Sequence, residues 1–153
     1  MKQKRFIGYK SEKKLVEMDR SEIRRYAACI GSKNALHFDP EHAKKLGYRD
    51  IVAPVSIVTT YSDCIALIGL LKINPRNILH SEQSIDIARP ILAGDSFVIY
   101  SEIKEIYERP IGNATTGFLA IESYASDEDG ESLFTTRRVL AIRGGFRKKR
   151  GSR

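Results

Sequence analysis

The feature that most constrains the fold is a long apolar run that begins at Pro54 and ends at Leu71. At about 18 residues the run is too long for a single strand. Asp63 interrupts it, and it is too short and too polar for a membrane span. We therefore predict that residues 54–71 form one long buried helix, most of which serves only to fill the core.

The chain changes character after this run. Short β-type segments follow at residues 84–87, 96–106, 116–126 and 133–142, separated by turn signals at residues 93–95 and 127–130. One buried helix followed by consecutive strands is typical of an antiparallel sheet wrapped around a helix, and not of alternating βαβ units. For a chain of 153 residues we predict a single α+β domain.

Two short helices precede the apolar run and enclose a loop. Apolar side chains recur at helical spacing over residues 22–30, with Ser21 as the expected N-cap and Gly31 as the stop. A second helix is expected to start at Asp39 as cap with Pro40 in its first turn, and to stop at Gly47. The loop over residues 31–38 should therefore be held at both ends.

The positive charge of the chain is concentrated at its C-terminal end. The formal net charge is +7, and the six basic residues from Arg143 onward, with no acid among them, leave only +1 for the rest. We therefore predict a domain over residues 1–143 and a basic flexible tail over residues 144–153. A basic tail alone does not indicate nucleic-acid binding, which we consider an unlikely activity.

The remaining composition indicates an intracellular protein without a metal site. Cys29 and Cys64 are far apart and match no metal-ligand spacing, so both are predicted to be buried free thiols. The first 14 residues lack the apolar stretch of a signal peptide. We predict a cytoplasmic protein that does not bind membranes.

Four stretches together carry a resemblance to a known family. They are YA at residues 26–27 leading to GSKNALHFD at 31–39, GY at 47–48 leading to IVAP at 51–54, HSEQ at 80–83 leading to RPILAGD at 89–95, and GF at 117–118 leading through DG at 129–130 to Arg143. In this order and spacing they resemble the MaoC-like dehydratases with the hot-dog fold, and in particular their N-terminal-type domain. The resemblance covers about residues 7–143.

The resemblance implies an activity and a way of assembling. Its members add water to, or remove it from, acyl thioesters of coenzyme A or acyl carrier protein, with R stereochemistry at the 3-hydroxyl, and use no cofactor. The chain is also similar to subunits of heterodimeric (3R)-hydroxyacyl-thioester dehydratases, some of which mainly shape the acyl tunnel. A homodimer, or a heterodimer with another hot-dog subunit, is therefore expected.

The catalytic loop of the family reads Gly-Asp-x-Asn-x-x-His, and here one position differs. Asn34 and His37 stand where the resemblance places them, whereas Ser32 replaces the aspartate. We take all three as the candidate catalytic residues. A serine hydroxyl can hold a water molecule but is too weak an acid and base to replace a carboxylate. Asp39 and Asp63 are possible substitutes.

In the family, a backbone N–H at the start of the long helix stabilises negative charge on the thioester oxygen. Pro54 has no N–H, so Val55 is the first candidate for substrate binding and Ser56 the second. The pairs Arg89-Pro90 and Gly94-Asp95 are interpreted as structural.

Three functional hypotheses follow. The first is an (R)-specific enoyl-thioester hydratase or 3-hydroxyacyl-thioester dehydratase, which Asn34 and His37 favour. The second is a non-catalytic acyl-thioester-binding subunit with a catalytic hot-dog partner, which Ser32 favours. A thioester-sensing regulator that binds nucleic acid through the tail is the weakest alternative, because no DNA-reading helix is evident.

Overall fold

The computed structural model describes residues 2–146 as an antiparallel sheet with helical segments packed against it. The sheet order is β1-β3-β4-β5-β2, so β1 and β2 are the edge strands. The strands are β1 (Lys14–Glu17), β2 (Ile78–Ile87), β3 (Ser96–Ile111), β4 (Ala114–Ser126) and β5 (Ser132–Arg143). The predicted α+β arrangement with an antiparallel sheet is confirmed.

The strands are longer than the sequence patterns indicated. β2 begins at Ile78, six residues before the predicted start, and β3 continues to Ile111. A tight turn at residues 112–113 then joins β3 directly to β4, and this hairpin was not predicted. The short strand β1 was also missed, because its alternation is only four residues long.

The two predicted short helices are present, and one cap differs. Helix α1 (Arg20–Cys29) is capped by Asp19, whose Oδ1 accepts a hydrogen bond from the N–H of Glu22 at 2.9 Å. The predicted cap, Ser21, is wrong because it lies inside the helix and donates to Asp19 at 2.6 Å. Gly31, with φ of +70°, follows the end of the helix as predicted.

Helix α2 (Pro40–Lys45) begins as the sequence predicts. Asp39 accepts a hydrogen bond from the N–H of Glu41 at 2.9 Å, and Pro40 occupies the first turn. Because both helices are capped at the ends that face residues 31–38, the loop between them is held on each side.

The central apolar run is divided into two helical pieces. A 3-10 helix occupies Val55–Tyr61, and helix α3 occupies Cys64–Leu70. Between them the backbone of Ser62 is extended, with ψ of 131°. The prediction of one continuous helix is therefore wrong.

A row of buried hydroxyl groups on the sheet lies beneath this break. Ser101 of β3 and Ser123 of β4 are buried, and their Oγ atoms are 2.8 Å apart. The Oγ of Ser123 donates to Ser62 at 3.1 Å, and the N–H of Asp63 donates to Ser101 at 3.0 Å. The sheet thus satisfies a backbone N–H that a continuous helix would have bonded to its own carbonyl. We call Ser62, Ser101 and Ser123 the hydroxyl row.

The hydroxyl row separates two apolar clusters. On β3, Ser101 lies between Ile99 of the first cluster and Ile103 of the second. The first cluster packs the 3-10 helix and residues 91–93 around two aromatic rings, Phe97 and Phe134. The second packs α3 against β3, β4 and β5.

The second cluster includes part of the predicted tail. Phe146 is only 8% exposed, and a Cβ atom at Gly117 would lie 2.7 Å from its ring, so the close approach requires glycine. The N–H of Phe146 donates to Glu108 at 2.8 Å, and its carbonyl accepts from Gln3 at 3.0 Å. The structured body therefore continues three residues past the expected boundary at Arg143. The rest of the predicted flexible tail, residues 147–153, lies outside the described residues.

The two thiols have different environments. Cys64 is buried, as predicted, whereas Cys29 is exposed at the end of α1, so that part of the prediction is wrong. Within residues 2–146 no helix has the length and apolar character needed to cross a membrane.

Candidate active site

The loop over residues 31–38 is ordered by its own short-range hydrogen bonds. The N–H of Ser32 donates to the Ala27 carbonyl at 2.9 Å, and Ser32 Oγ accepts from the N–H of Asn34 at 3.3 Å. Asn34 Oδ1 accepts from the N–H of Leu36 at 3.1 Å and so caps a 3-10 helix over Ala35–His37. The serine and asparagine side-chain oxygens therefore both bond the loop backbone.

The imidazole of His37 has a defined orientation. Its Nδ1 lies 2.7 Å from the carbonyl oxygen of Val52. Because a carbonyl can only accept, Nδ1 must carry the hydrogen in this contact. In the neutral ring Nε2 then holds a lone pair and is the atom able to take a proton.

Val52 connects the loop to an apolar cleft. Its N–H donates to the Leu36 carbonyl at 2.9 Å, and the next residue, Ala53, donates to the Ile91 carbonyl at 2.8 Å. The cleft has a volume of about 230 Å³. It is lined by two neighbouring segments, residues 52–55 and residues 87–91, and Arg89 is the one charged residue among them. Apolar walls with few polar groups are typical of small-molecule sites.

The start of the 3-10 helix provides free N–H groups beside this cleft. Its first backbone hydrogen bond runs from the N–H of Ile57 to the Pro54 carbonyl at 3.0 Å. Within the described part of the chain, the N–H groups of Val55 and Ser56 have no backbone acceptor outside the helix. Val55 is 59% exposed and lines the cleft. The hydroxyl of Ser56 instead accepts from Tyr26 of α1 at 3.1 Å.

The two possible substitutes for the missing carboxylate are occupied elsewhere. Asp39 caps α2, and Asp63 pairs with Lys14 at 3.0 Å. No carboxylate oxygen of residues 2–146 lies within 4 Å of a nitrogen of His37. The same range contains no group of three histidine, cysteine or acidic residues arranged to hold a metal ion. The structure therefore brings His37, Ser32 and Asn34 together in one loop without adding an acid.

A buried carboxylate is bonded to the segment that contains Arg89. Asp95 accepts hydrogen bonds from Arg49 at 2.8 Å, from Arg89 at 2.9 Å and from the N–H of Leu92 at 2.8 Å. Burial acts to raise the pKa of Asp95, but the Leu92 N–H and the two guanidinium groups outweigh burial and hold it below its usual value. This agrees with the structural interpretation of Gly94-Asp95.

Two tyrosines join α1 to the helix that borders the cleft. Besides the Tyr26–Ser56 bond, the Tyr61 hydroxyl donates to Glu22 at 2.7 Å. The spacing of Glu22 and Tyr26, four residues apart on α1, was the available signal, since it puts them on one helix face. Sequence reasoning missed their role because neither partner is near in sequence.

Comparison with known proteins places the chain in a family. The chain matches the family model described as FAS1-like, dehydratase domain region, over residues 5–136. It is 31% identical over 132 residues to a UPF0336 protein of Saccharopolyspora erythraea, covering 84% of this chain and 82% of the relative. The UPF0336 protein SCO4636 of Streptomyces coelicolor is 31% identical over 133 residues, covering 83% and 85%.

Solved structures share the fold at low sequence identity. The HadBC (3R-hydroxyacyl-ACP dehydratase) complex of Mycobacterium tuberculosis matches with a TM-score of 0.76 at 22% identity, covering 89% of this chain and 96% of that chain. A MaoC-like dehydratase matches with a TM-score of 0.78 at 21% identity, covering 90% and 42%.

The family match and the fold define a hot-dog protein of the MaoC-like dehydratase class, as predicted. More narrowly, the chain belongs to the FAS1-like dehydratase-region family, and the UPF0336 proteins are its relatives in sequence.

Proposed function

We propose that the chain is an (R)-specific enoyl-thioester hydratase or 3-hydroxyacyl-thioester dehydratase, acting alone or as one subunit of a pair. The observation that carries this proposal is the 2.7 Å contact from His37 Nδ1 to the Val52 carbonyl, which leaves Nε2 as the available base. The substrate would be a thioester of coenzyme A or acyl carrier protein, in keeping with the predicted cytoplasmic location.

The proposed reaction needs one proton-transfer group and one oxyanion donor. In the hydration direction, Nε2 of His37 accepts a proton from water as its oxygen bonds to C3 of the enoyl chain. The electron pair moves to the thioester oxygen, which the Val55 N–H stabilises. The protonated imidazole then returns the proton to C2, so that one water is added overall. In this scheme the Ser32 hydroxyl and the Asn34 amide hold the water.

The first experiment measures hydration of crotonyl-CoA by the purified chain and its variants. His37→Ala should lower the rate by about 10²-fold or more, the range for one acid/base group. Ser32→Asp should raise it at least about tenfold by restoring the carboxylate. His37→Ala should abolish that gain, because the two groups act on one water. His80→Ala, at an exposed position on β2, is the matched control. Activity that survives His37→Ala would contradict the proposal.

The second candidate is a non-catalytic acyl-thioester-binding subunit. It is favoured by Ser32, whose hydroxyl bonds the Asn34 N–H, and by the lack of a carboxylate near His37 in the described range. A partner would then supply a complete Asp and His loop. In that case activity should appear only with the co-purified partner and should be unchanged by His37→Ala.

Both candidate functions are compatible with a partner subunit. We propose that a second hot-dog subunit, identical or different, pairs with the open edge of β2 and covers α3. Ile65 on α3 is 85% exposed and Leu79 on β2 is 58% exposed, whereas side chains of this kind are usually buried. Two similar structures from Mycobacterium tuberculosis, HadBC and ChsH1-ChsH2, are complexes. Light scattering that shows a stable monomer at micromolar concentration would contradict this.

A further inference from the structure

We propose that single-stranded RNA binds at the end of the domain where the N-terminal residues meet the start of the basic tail. A basic tail alone is weak evidence for nucleic-acid binding. The fold adds two features to it: a second basic segment, and a stacked aromatic pair on the outer face of the sheet, which is the face opposite the helices. Both features lie away from the cleft, so the proposal is independent of the proposed function.

Two segments of the sequence carry all of the excess positive charge. Residues 1–6 contain three basic side chains, residues 143–153 contain six, and neither segment contains an acid. These nine charges exceed the formal net charge of +7 and leave −2 for the rest of the chain. The sequence analysis recognised only the tail, because the N-terminal segment stands at the other end of the chain.

The fold brings the two basic segments together. The side-chain amide of Gln3 donates to the Phe146 carbonyl at 3.0 Å, and both Phe6 and Phe146 pack in the second apolar cluster. Phe146 also packs beside Gly117, which places the start of the tail next to β4. Five more basic residues follow Phe146 directly in the sequence. The basic side chains of the N-terminal segment are all exposed: Lys2, Lys4 and Arg5.

The described positive charges at this end have no carboxylate partner. Within residues 2–146, no carboxylate oxygen lies within 4 Å of a side-chain nitrogen of the three N-terminal basic residues or of Arg143. The carboxylate of Glu108 is close, but it accepts the N–H of Phe146 at 2.8 Å. Arg137, in contrast, pairs with two glutamates at 2.9 Å each. The charge beside the tail is therefore available to an outside anion.

The aromatic pair lies on the outer face of the two central strands. The rings of Tyr107 on β3 and Phe118 on β4 are stacked, with centroids 4.9 Å apart and planes at 13°. Their chain neighbours Ile106 and Leu119 are buried in the second cluster, and successive side chains of a strand point to opposite faces. Both rings therefore point away from the helices.

Two arginines stand in the adjoining row of the same face. The strand register pairs Arg109 with Thr116 and Thr116 with Arg143, two positions along each strand from the aromatic row. The Arg109 guanidinium lies over the Tyr107 ring, 5.0 Å from its centroid. Rings interleaved with cations are typical of proteins that bind single strands, because bases stack on the rings while the cations contact the phosphates.

A second stacked pair on this face has acidic surroundings. Tyr100 and Tyr124 stack with centroids 5.4 Å apart. The Tyr124 hydroxyl bonds the carboxylate of Glu122, and the strand register places Glu102 opposite Glu122. Of the two pairs, the one beside the tail is suited to a polyanion, and the other provides a matched control.

These features favour a single strand over a lipid surface or a duplex. The N-terminal 3-10 helix, Lys2–Phe6, turns its Phe6 ring onto the second cluster and so lacks a free apolar side chain to insert into a bilayer. Rings on an open sheet face can stack on unpaired bases, whereas a duplex keeps its bases stacked inside. RNA is the abundant single strand at the predicted cytoplasmic location.

The test measures binding of fluorescently labelled oligouridine to the full chain by anisotropy at several salt concentrations. The triple variant Lys2→Gln, Lys4→Gln and Arg5→Gln should weaken binding at low salt at least about tenfold and reduce the slope of log K against log salt by about 2. Ending the chain after Phe146 should weaken binding further. No binding by the wild-type chain at low salt would overturn the proposal. Unchanged binding by the triple variant would also overturn it, because the tail would then act alone.

A control with the same loss of charge separates this surface from net charge. Its three exposed positions lie outside both basic segments, and the substitutions are Lys13→Gln, Arg25→Gln and Lys45→Gln. This control should change the affinity by less than about threefold, because exposed charges beyond a Debye length are largely screened. A loss equal to that of the N-terminal triple variant would show that net charge alone drives binding, and the proposal would fail.

The aromatic row is tested with its own control. Phe118→Leu should weaken oligouridine binding by about fivefold or more, the range for one stacked base, whereas Tyr100→Leu should not. If Phe118→Leu does not fold, Arg109→Gln, at an exposed position, tests the same face and should also weaken binding. Equal effects of the Phe118 and Tyr100 variants, or no effect of Arg109→Gln, would contradict a stacking surface beside the tail.

Three competing ligands complete the test on the wild-type chain. They are phosphatidylglycerol vesicles, a DNA duplex and single-stranded oligothymidine. Each should bind more weakly than oligouridine. Tighter binding of the vesicles or of the duplex would assign the basic segments to a lipid surface or to double-stranded DNA, and tighter binding of oligothymidine would assign them to single-stranded DNA. Any of these results would overturn the proposal for RNA.

Discussion

The two halves of the central apolar run differ in composition and in surroundings: the 3-10 helix carries four hydroxyl side chains, whereas α3 carries none. The 3-10 helix Val55–Tyr61 is bonded to α1 through the hydroxyls of Tyr26 and Tyr61 and borders the cleft. Helix α3 packs by apolar contact on its inner side and leaves Ile65 open on the other. Both halves bury apolar side chains, but only the half that borders the cleft adds side-chain hydrogen bonds to a neighbouring helix.

The largest change in the free energy of unfolding is expected in the second apolar cluster, which packs α3 against the sheet. Phe146→Ala removes a buried ring from the second cluster and should lower the free energy of unfolding by about 3 kcal/mol. Urea denaturation measures it. A chain that ends after Phe146 is the control, and it should change by less than about 0.5 kcal/mol. Equal destabilisation of both variants would contradict this prediction, because it would show that residues 147–153 also stabilise the fold.

A smaller change in the free energy of unfolding is expected at the hydroxyl row, beneath the break between the 3-10 helix and α3. Ser123→Ala leaves the Ser62 and Ser101 hydroxyls with one partner fewer, at a cost of about 1–3 kcal/mol. Amide hydrogen exchange should show lower protection in α3 than in the 3-10 helix. Ser84→Ala, at an exposed position on β2, is the matched control and should have little effect. Equal loss of protection in the 3-10 helix and in α3 would show that the hydroxyl row does not separate the two helical segments.

A still smaller change in the free energy of unfolding is expected when a hydrogen bond between the 3-10 helix and α1 is removed. Tyr61→Phe removes the bond to Glu22 and should cost about 1 kcal/mol. Burial and the neighbouring Glu22 carboxylate raise the pKa of Tyr61 well above its usual value near 10. The unfolded chain therefore loses this proton first, and stability should fall as pH rises above about 10. Tyr61→Phe should make that fall shallower, whereas Tyr9→Phe, at an exposed position, should not.

The smallest change in unfolding is expected on the outer side of α3. Ile65→Gln alters an exposed side chain, so the stability of the subunit itself should move by less than about 0.5 kcal/mol. Association with a second hot-dog subunit should nevertheless weaken, as sedimentation at several concentrations would show. A large loss of stability at a concentration where the chain is monomeric would mean that Ile65 packs within its own fold.

Local signals in the sequence predicted the local parts of the fold. The cap at Asp39, the stop at Gly31 and the α+β order depend on residues close together in the chain, and all three are confirmed. The division of the central run could not be predicted, because it depends on Ser101 and Ser123, which reach the helix only through the sheet. Apolar periodicity does not show which polar groups a strand will place under a helix.

In the candidate site, too, the sequence predicted the local features and missed the long-range contact. The order of Ser32, Asn34 and His37 in one loop follows from the motif, and their placement together agrees with it. The contact of His37 with the Val52 carbonyl joins residues 15 positions apart, and the spacing of the motif carries no information about it. Their chemical roles remain predictions that the hydration assay would test.

The bond from Gln3 to the Phe146 carbonyl has a consequence for synthesis of the protein. It joins residues 143 positions apart, and Phe146 fills a place in the second cluster. During translation, β3 and β4 emerge before Phe146, so they can pair while this place is still empty. The nascent chain would then present an apolar gap beside Gly117, the kind of transient exposed surface that chaperones bind. This gap would close once Phe146 leaves the ribosome and packs beside Gly117.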